Sequence, residues 1–77
     1  MITKEQQKQF EQSLRKEGFE PTIKKSALGI TIFASKGDYY IEDLMTWDTL
    51  EEYKDDWLGN IKLYAQTISK SHKGLPT

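Results

Sequence analysis

The spacing of apolar residues changes twice along this 77-residue chain, and these changes constrain its fold more than any other feature. Before Pro21 and after Leu44, apolar residues recur every three or four positions, as in an amphipathic helix. Between these points the period is two, and β-branched and aromatic residues dominate, as in half-buried strands. The sequence therefore predicts a helix, a set of strands and a second helix.

The first helix is predicted over residues 4–17. Thr3 with Gln6 matches a capping box, and the residues that follow are mostly Glu, Gln and Lys, which favour a helix. At the other end, Gly18 and then Phe19 match the left-handed glycine and the apolar contact of a Schellman motif. Both ends of this helix are therefore marked in the sequence.

Three strands in an antiparallel meander are predicted in the middle of the chain. They centre on residues 22–24, 30–34 and 39–41. A two-residue hairpin loop at residues 36–37 would place Ala34 opposite Tyr39. The same register would make Phe33 and Tyr40 a directly facing aromatic pair.

Strand alternation gives the predicted sheet two unlike faces. If residues 26–29 form the first turn, Ile23 lies opposite Ile32. The face predicted to form the core carries Ile23, Ile30, Ile32, Ala34, Tyr39 and Ile41. The other face carries Thr22, Lys24, Thr31, Phe33, Ser35, Tyr40 and Glu42. That second face is mostly polar, apart from its two aromatic residues.

A longer second helix is predicted over residues 49–70. Asp48 with Glu51 is a capping signal, and apolar residues then follow at helical spacing. They are Leu50, Tyr53, Trp57, Ile61, Tyr64 and Ile68. Gly59, near the middle of this helix, is expected to permit a kink or a break.

The economical way to bury these apolar surfaces is a two-layer α+β domain, α-β-β-β-α, with both helices on one face of the meander. A chain of 77 residues has apolar material for one core only. Residues 1–70 are predicted to form this single domain, and residues 71–77 a flexible C-terminal tail.

The residues that usually carry out chemistry are missing from the sequence. There is no Cys and no GxxxxGK motif, and the one histidine, His72, lies in the predicted tail. Carboxylates one helical turn apart do occur, but a solvated helix face explains them more simply than a cation or acid–base site. These pairs are Glu51 with Asp55 and Glu52 with Asp56. We predict no catalytic residues, no metal and no cofactor, and hence no enzyme.

The sequence also carries expectations about location. No segment resembles a signal peptide, and none approaches the roughly 20 apolar residues of a membrane span. The absence of Cys suits a reducing compartment. We therefore expect a cytoplasmic protein without a membrane partner.

Charge is unevenly distributed, although the net charge of the chain is only −1. Residues 42–56, hereafter the acidic segment, contain seven carboxylates against one basic residue, Lys54, so their net charge is −6 and the rest of the chain carries +5. The carboxylates are Glu42, Asp43, Asp48, Glu51, Glu52, Asp55 and Asp56. Such a segment suits a partner protein with a basic surface.

Two surfaces are candidate partner-binding sites. On a helical wheel, one group of carboxylates points away from the core stripe: Asp48, Glu51, Glu52, Asp55 and Asp56. Trp47 lies beside this acidic face and would add an apolar contact. The second surface is the open sheet face with Phe33 and Tyr40. The plain alternatives are a solvated face for the acids and the edge of the core for Trp47.

The element order resembles that of double-stranded RNA-binding domains and of HicA-type mRNA interferase toxins, and this resemblance implies a phosphate-binding arrangement. The residues at the functional positions differ. Where the RNA-binding family has a lysine cluster at the start of its second helix, residues 48–56 here read Asp-Thr-Leu-Glu-Glu-Tyr-Lys-Asp-Asp. The sheet histidine of the toxins is absent from residues 30–35. The resemblance therefore covers the order of elements and not the function.

The leading hypothesis is a non-catalytic protein-binding module, a small intracellular inhibitor or regulator that engages a basic partner protein through its acidic helix face. In size and acidity the chain is similar to phage-encoded or mobile-element inhibitors of host defence, such as anti-CRISPR proteins. One alternative is a nucleic-acid-binding domain that uses Lys24, Lys25, Lys36 and the basic C-terminal tail. Another is a homodimer through the open sheet face, in place of a monomer.

Overall fold

The computed structural model describes residues 2–74, with side chains as far as Lys70. Its elements are, in chain order, α1 (Lys4–Lys16), β1 (Glu20–Lys25), β2 (Gly29–Lys36), β3 (Tyr39–Thr46), α2 (Trp47–Tyr53), a 3₁₀ turn (Lys54–Asp56) and α3 (Trp57–Gly74). The strands pair antiparallel in the order β1-β2-β3. The predicted α+β fold with a three-stranded meander is confirmed.

Helix α1 has both of its predicted ends. At its start, the Gln6 backbone N–H donates to Thr3 Oγ1 at 3.0 Å, and the Thr3 N–H donates to Gln6 Oε1 at 2.9 Å, which completes the capping box. At its end, Gly18 is left-handed with φ 92°, and the Phe19 N–H donates to the Leu14 carbonyl. This is the Schellman ending that the sequence predicted.

The register predicted for the second hairpin is wrong by one loop position. The loop residues are Gly37 and Asp38, so Ala34 lies opposite Ile41 and not opposite Tyr39. Gly37 has a φ of 62° whereas that of Asp38 is not positive, as in a type II′ turn, whose first central position favours glycine. A loop one residue earlier would have placed a lysine in that left-handed conformation.

The change of register preserves the predicted faces of the sheet, because it shifts the pairing by two residues. Phe33 lies opposite Glu42 instead of Tyr40, which leaves the two aromatic residues as diagonal neighbours on one face. The first hairpin has its predicted register, with Ile23 opposite Ile32. We call the face with Phe33 the outer face and the face with Ile32 the inner face.

The core lies between the inner face and the helices. Its buried apolar residues are Ile2, Phe10, Leu14, Phe19, Ile23, Ile30, Ile32, Ala34, Met45, Leu50, Trp57, Ile61 and Ala65. Phe10 meets Trp57 and Tyr64 edge to face, with ring centroids 5.9 Å and 5.5 Å apart, and so joins α1 to α3. Other predicted core residues lie at its margin, half-buried: Tyr39, Ile41, Tyr53, Tyr64 and Ile68.

The predicted second helix begins earlier than expected and is divided in two. Thr46, and not Asp48, caps α2, because its Oγ1 accepts from the Thr49 backbone N–H at 3.4 Å. The chain then tightens into the 3₁₀ turn before it continues as α3. At this junction the Asn60 side chain donates to the Tyr53 carbonyl at 3.1 Å, which satisfies a carbonyl near the end of α2.

The break lies before Gly59, among the acids. Glu52 and Asp56 are like charges one turn apart, which disfavours a regular α-helix at this point. Gly59 lies in α3, three positions after Asp56 at the end of the 3₁₀ turn, and a Cβ at Gly59 would overlap the Asp56 carboxylate. The glycine therefore makes room for the acid and is not itself the site of the break.

The backbone of α3 continues to Gly74, past the start of the tail predicted at residue 71. The prediction for residues 75–77, like the side chain of His72, lies outside the described residues. Within residues 2–74, none of the helices combines the length and the apolar character that crossing a membrane requires.

Candidate functional site

The acidic segment follows an edge of the sheet and continues onto the helix layer. β3 is an edge strand, with Glu42 on the outer face and Asp43 on the inner face. The other carboxylates, on α2 and the 3₁₀ turn, are all exposed: Asp48, Glu51, Glu52, Asp55 and Asp56. Leu50 and Trp57, on the opposite side of this helical stretch, are buried. The five carboxylates therefore project from the surface and take no part in the core.

Among the described residues, one basic side chain pairs with this acidic face. Lys54 Nζ lies 2.8 Å from Glu51 Oε1, and this ammonium holds the pKa of Glu51 below its ordinary value. Among the residues that the structure describes, Asp48, Glu52, Asp55 and Asp56 have no ion-pair partner. Four carboxylates thus face solvent with their charge unneutralised by a neighbouring cation.

Trp47, predicted to contact a partner, is held by contacts within the fold. Its indole Nε1 donates to the Ala27 carbonyl at 3.0 Å, and its backbone N–H donates to the Leu28 carbonyl at 3.2 Å. The side chain is half-buried and packs against the core. Trp47 therefore fixes the β1–β2 turn to the start of α2. This role corresponds to the alternative in which Trp47 lies at the edge of the core, and only the exposed part of its side chain is available to a partner.

Asp43 differs from the other acids because it is bonded to the helix layer. The Tyr64 hydroxyl donates to Asp43 Oδ2 at 2.8 Å, and burial together with this carboxylate raises the pKa of Tyr64. Burial and Asp43 likewise raise the pKa of Tyr53. Sequence reasoning did not find this contact, although alternation with Ile41 places Asp43 on the inner face, toward the helix layer.

The second candidate surface, the outer face, has more apolar area than the sequence suggested. Tyr40 is 58% exposed and Leu44 48% exposed, while Phe33 is half-buried between them. Lys24 Nζ stands 5.7 Å from the Phe33 ring centroid, a cation–π distance. Leu44 was missed because the prediction followed the outer face only as far as Glu42.

The lysines of the nucleic-acid alternative do not share a surface. Lys24 lies on the outer face, whereas the neighbouring Lys25 has the inner-face parity of its partner Ile30. Lys36 packs on the core side, with its Nζ 5.5 Å from the Phe19 ring centroid and 3.4 Å from Ser69 Oγ. These three cations form no single patch that could follow a phosphate backbone.

Two further features complete the surface. A shallow groove of about 290 Å³ between α1 and α3 is lined by Ser13, Lys16, Glu17, Leu58 and Lys62. Within the described part of the chain, no group of three His, Cys, Asp or Glu side chains is arranged to hold a metal ion. Carboxylates are numerous in the acidic segment, but they do not converge.

Comparison of the chain with protein-family models, curated proteins and solved structures gave no significant match. The two surfaces themselves are therefore the basis for a function.

Proposed function

We propose that this protein is a non-catalytic binding module that inhibits or regulates a basic partner protein through the exposed carboxylates of α2 and the 3₁₀ turn. One observation carries the proposal: Asp48, Glu52, Asp55 and Asp56 are exposed together and have no basic partner among the described residues. In its narrower form, the partner is a cytoplasmic nucleic-acid-binding protein.

The energetics of these carboxylates support a role outside the fold. Exposed charges contribute little to stability, and like charges one turn apart cost a few tenths of a kcal/mol per pair. Glu52 and Asp56 form such a pair, next to a break in the helix. The arrangement therefore opposes the helix that carries it, whereas a row of Arg or Lys on a partner would turn the repulsion into attraction.

The mechanism of inhibition would be competition. A row of carboxylates on one helix face offers the charge-assisted acceptors that Arg and Lys otherwise find in a phosphate backbone. The partially exposed ring of Trp47 lies at one end of this row and adds apolar contact area. A protein that binds nucleic acid through a basic groove would then be occupied and unable to bind its substrate.

Affinity capture tests this proposal. The tagged full chain is used to recover partners from extracts of its own cells, in parallel with the variant Glu52→Lys/Asp56→Lys. Replacing two attractive contacts with two repulsive ones is expected to weaken binding of the captured basic protein by roughly 30-fold. Binding by the unchanged chain should also weaken as salt is raised.

The matched control is Glu5→Lys/Asp38→Lys, which makes the same change in net charge at exposed positions outside the acidic segment. It should retain binding. The proposal is wrong if both double variants lose the partner equally, or if the Glu52→Lys/Asp56→Lys variant keeps it. RNA or DNA binding at physiological salt that disappears in Lys24→Ala/Lys25→Ala would favour the nucleic-acid alternative.

A further inference from the structure

The backbone of β3 is paired on one side only, because β3 lies at an edge of the sheet. In an antiparallel ladder, alternate residues of a strand bond to the same neighbour. The Trp47 N–H donates to the Leu28 carbonyl, one pair beyond the β2–β3 ladder, and this bond sets the alternation. Four residues of β3 therefore bond to β2: Tyr39, Ile41, Asp43 and Met45. The N–H and C=O groups of Tyr40, Glu42 and Leu44 point away from β2.

These outward groups form an open edge. Within the described part of the chain, no backbone hydrogen bond uses the N–H or C=O of Tyr40, Glu42 or Leu44 on that side. Tyr40 is 58% exposed, Leu44 is 48% exposed, and Glu42 is also exposed. Each of the three residues therefore offers one donor and one acceptor to a strand that adds to the sheet. Adding a strand is a recurring way for a sheet to bind an extended segment.

The other edge of the sheet, β1, is less suited to strand addition. The bond from the Ser26 N–H to the Gly29 carbonyl sets the alternation of the β1–β2 ladder, and it places Pro21 and Lys25 at outward positions. Proline has no N–H to donate, and both proline and lysine discourage pairing at an edge. The eight residues of β3 include neither. The two edges therefore differ, and β3 is the one that can accept another strand.

The charges along β3 define the kind of strand that fits. Glu42 lies on the outer face and Asp43 on the inner face, where one oxygen of its exposed carboxylate accepts from Tyr64. The other charged side chains of the outer face, Glu20 and Lys24, lie on β1, two strands away. Successive side chains of an added strand point to opposite faces. Two consecutive basic residues would therefore place one cation beside each carboxylate, whereas an apolar strand would place none.

We propose that the outward edge of β3 binds an extended basic segment of another protein, which adds a fourth, antiparallel strand to the sheet. The segment carries two consecutive Lys or Arg residues, the first opposite Asp43 and the second opposite Glu42, with β-branched residues on both sides. The backbone bonds supply affinity, and the two ion pairs supply selectivity. This inference goes beyond the proposed function, because it uses β3 and not the carboxylates of α2 and the 3₁₀ turn.

A synthetic peptide with this pattern is the probe: acetyl-Thr-Val-Lys-Arg-Val-Thr-Thr-amide. One short strand covers far less than the ~800 Å² per partner of a standard interface, so we expect a dissociation constant above about 1 µM and titrate to about 1 mM. Amide hydrogen exchange of the full chain, measured by NMR, reports the pairing. Without peptide, the amides of Tyr40, Glu42 and Leu44 should exchange rapidly, whereas Ile41 and Asp43 are protected by β2. Saturating peptide should slow exchange at the three outward amides by roughly tenfold or more.

N-methylation of the peptide separates strand pairing from simple charge attraction. In the proposed register, the N–H groups of the first Val and of the Arg point toward β3, and those of the Lys and the second Val point away. Methylation of the first Val and the Arg should weaken binding by roughly 30-fold. The matched control is methylation of the Lys and the second Val, which leaves the charge the same and should keep binding within about threefold.

Variants of the chain test the same edge from the other side. Leu44→Pro removes one outward N–H and should weaken binding more than Leu44→Ala, which keeps it. Glu42→Gln/Asp43→Asn removes both charges and should weaken binding by roughly tenfold. Circular dichroism checks that each variant is folded. The Glu52→Lys/Asp56→Lys variant should bind the peptide within about threefold of the unchanged chain, so this inference and the proposed function can fail separately.

Several results would overturn the proposal. One is the absence of protection at the outward amides with about 1 mM peptide. Others are equal binding of the two methylated peptides and equal binding by Leu44→Pro and Leu44→Ala. Sedimentation equilibrium of the chain without peptide should show a monomer. Self-association that protects the same outward amides would identify a second copy as the occupant in place of a basic segment of another protein.

Discussion

The core and the acidic segment are built on opposite principles, although they occupy the same short chain. In the core, residues from every α-helix and every strand exclude water together, and Phe10, Ile32 and Ile61 have no exposed surface. In the acidic segment, the carboxylates of α2 and the 3₁₀ turn are exposed, and among the described residues Lys54 forms an ion pair with one of them, Glu51. The stability of the protein therefore resides in the core, whereas the proposed binding of a basic partner would depend on the acidic segment.

The two regions meet at β3 and along α2. Asp43 is bonded to Tyr64 of the helix layer, and α2 buries Leu50 while it exposes its acids. The comparison thus predicts large effects for changes in the core, intermediate effects where the regions meet, and small effects for changes in the exposed acids.

The largest effect is expected from Phe10→Ala. Removing this fully buried ring also removes its edge-to-face contacts with Trp57 and Tyr64, and such changes cost about 3–5 kcal/mol. A chain of this length has a total stability of roughly 4–11 kcal/mol, so the variant should be marginally folded. Urea denaturation measures the change. Phe33→Ala, on the outer face, is the matched control and should cost less than half as much; equal losses would contradict the comparison.

A second large effect is expected from Gly29→Ala, because the atoms that pack against Gly29 belong to the backbone of β3 and not to side chains. A Cβ at Gly29 would collide with the Met45 carbonyl and the Thr46 backbone across the β2–β3 pair, and backbone cannot move aside cheaply. We expect a loss of about 3 kcal/mol in thermal or urea unfolding. Gly37→Ala is the control: it has open space but a φ of 62°, so only the conformational cost of about 1 kcal/mol applies.

The sequence predicted best those features that depend on interactions between residues close together in the chain. Apolar period and local capping rules located α1, the three strands and the inner face, because each depends on residues close in sequence or on simple alternation. The hairpin register was wrong because two adjacent loops were compatible with the same faces, and the left-handed preference of Gly37 decided between them. The weak point was turn chemistry, not the pattern of apolar residues.

The acidic segment was predicted less well than the core. The exposure of its carboxylates follows from a helical wheel, but the cap at Thr46 and the 3₁₀ turn do not, because several acids compete for the same local hydrogen bonds. The bond from Tyr64 to Asp43 joins residues 21 positions apart and depends on how α3 docks on the sheet. Contacts of this kind need the tertiary arrangement and cannot be found from spacing alone.

An intermediate effect is expected at that contact, from Tyr64→Phe. The change removes a hydrogen bond to a carboxylate without changing the ring, and should cost about 1 kcal/mol at neutral pH. The fold raises the pKa of Tyr64, so this contribution is complete below the ordinary tyrosine pKa of about 10 and is lost as the pH rises above it. Between pH 9 and 11 the stability of the unchanged chain should therefore fall more steeply than that of the variant.

Unfolding free energies measured by urea at each pH provide the test, and lysine deprotonation affects both proteins alike. Tyr53→Phe is the control, since its pKa is also raised but the described residues offer its hydroxyl no hydrogen bond. It should cost less than Tyr64→Phe at neutral pH. Parallel pH profiles for the unchanged chain and Tyr64→Phe would show that the Asp43 contact contributes nothing to the fold.

The smallest effect, and the one most specific to the acidic segment, is expected from Gly59→Ala. Alanine favours a helix over glycine by about 1 kcal/mol, but its Cβ would overlap the Asp56 carboxylate and displace it. The Asp56 carboxylate is the exposed end of a flexible side chain and can move aside, so it offsets only part of this gain, and Gly59→Ala alone is expected to stabilise the protein by about 0.5 kcal/mol. Asp56→Ala removes both the obstacle and the repulsion with Glu52. In that background Gly59→Ala should stabilise the protein by about 1 kcal/mol, as a double-mutant cycle measures. Additive effects would mean that the acid and the glycine are independent. A larger gain from Gly59→Ala in the Asp56→Ala background would mean that Asp56 is kept at the expense of a more stable helix, whereas the core residues stabilise the fold.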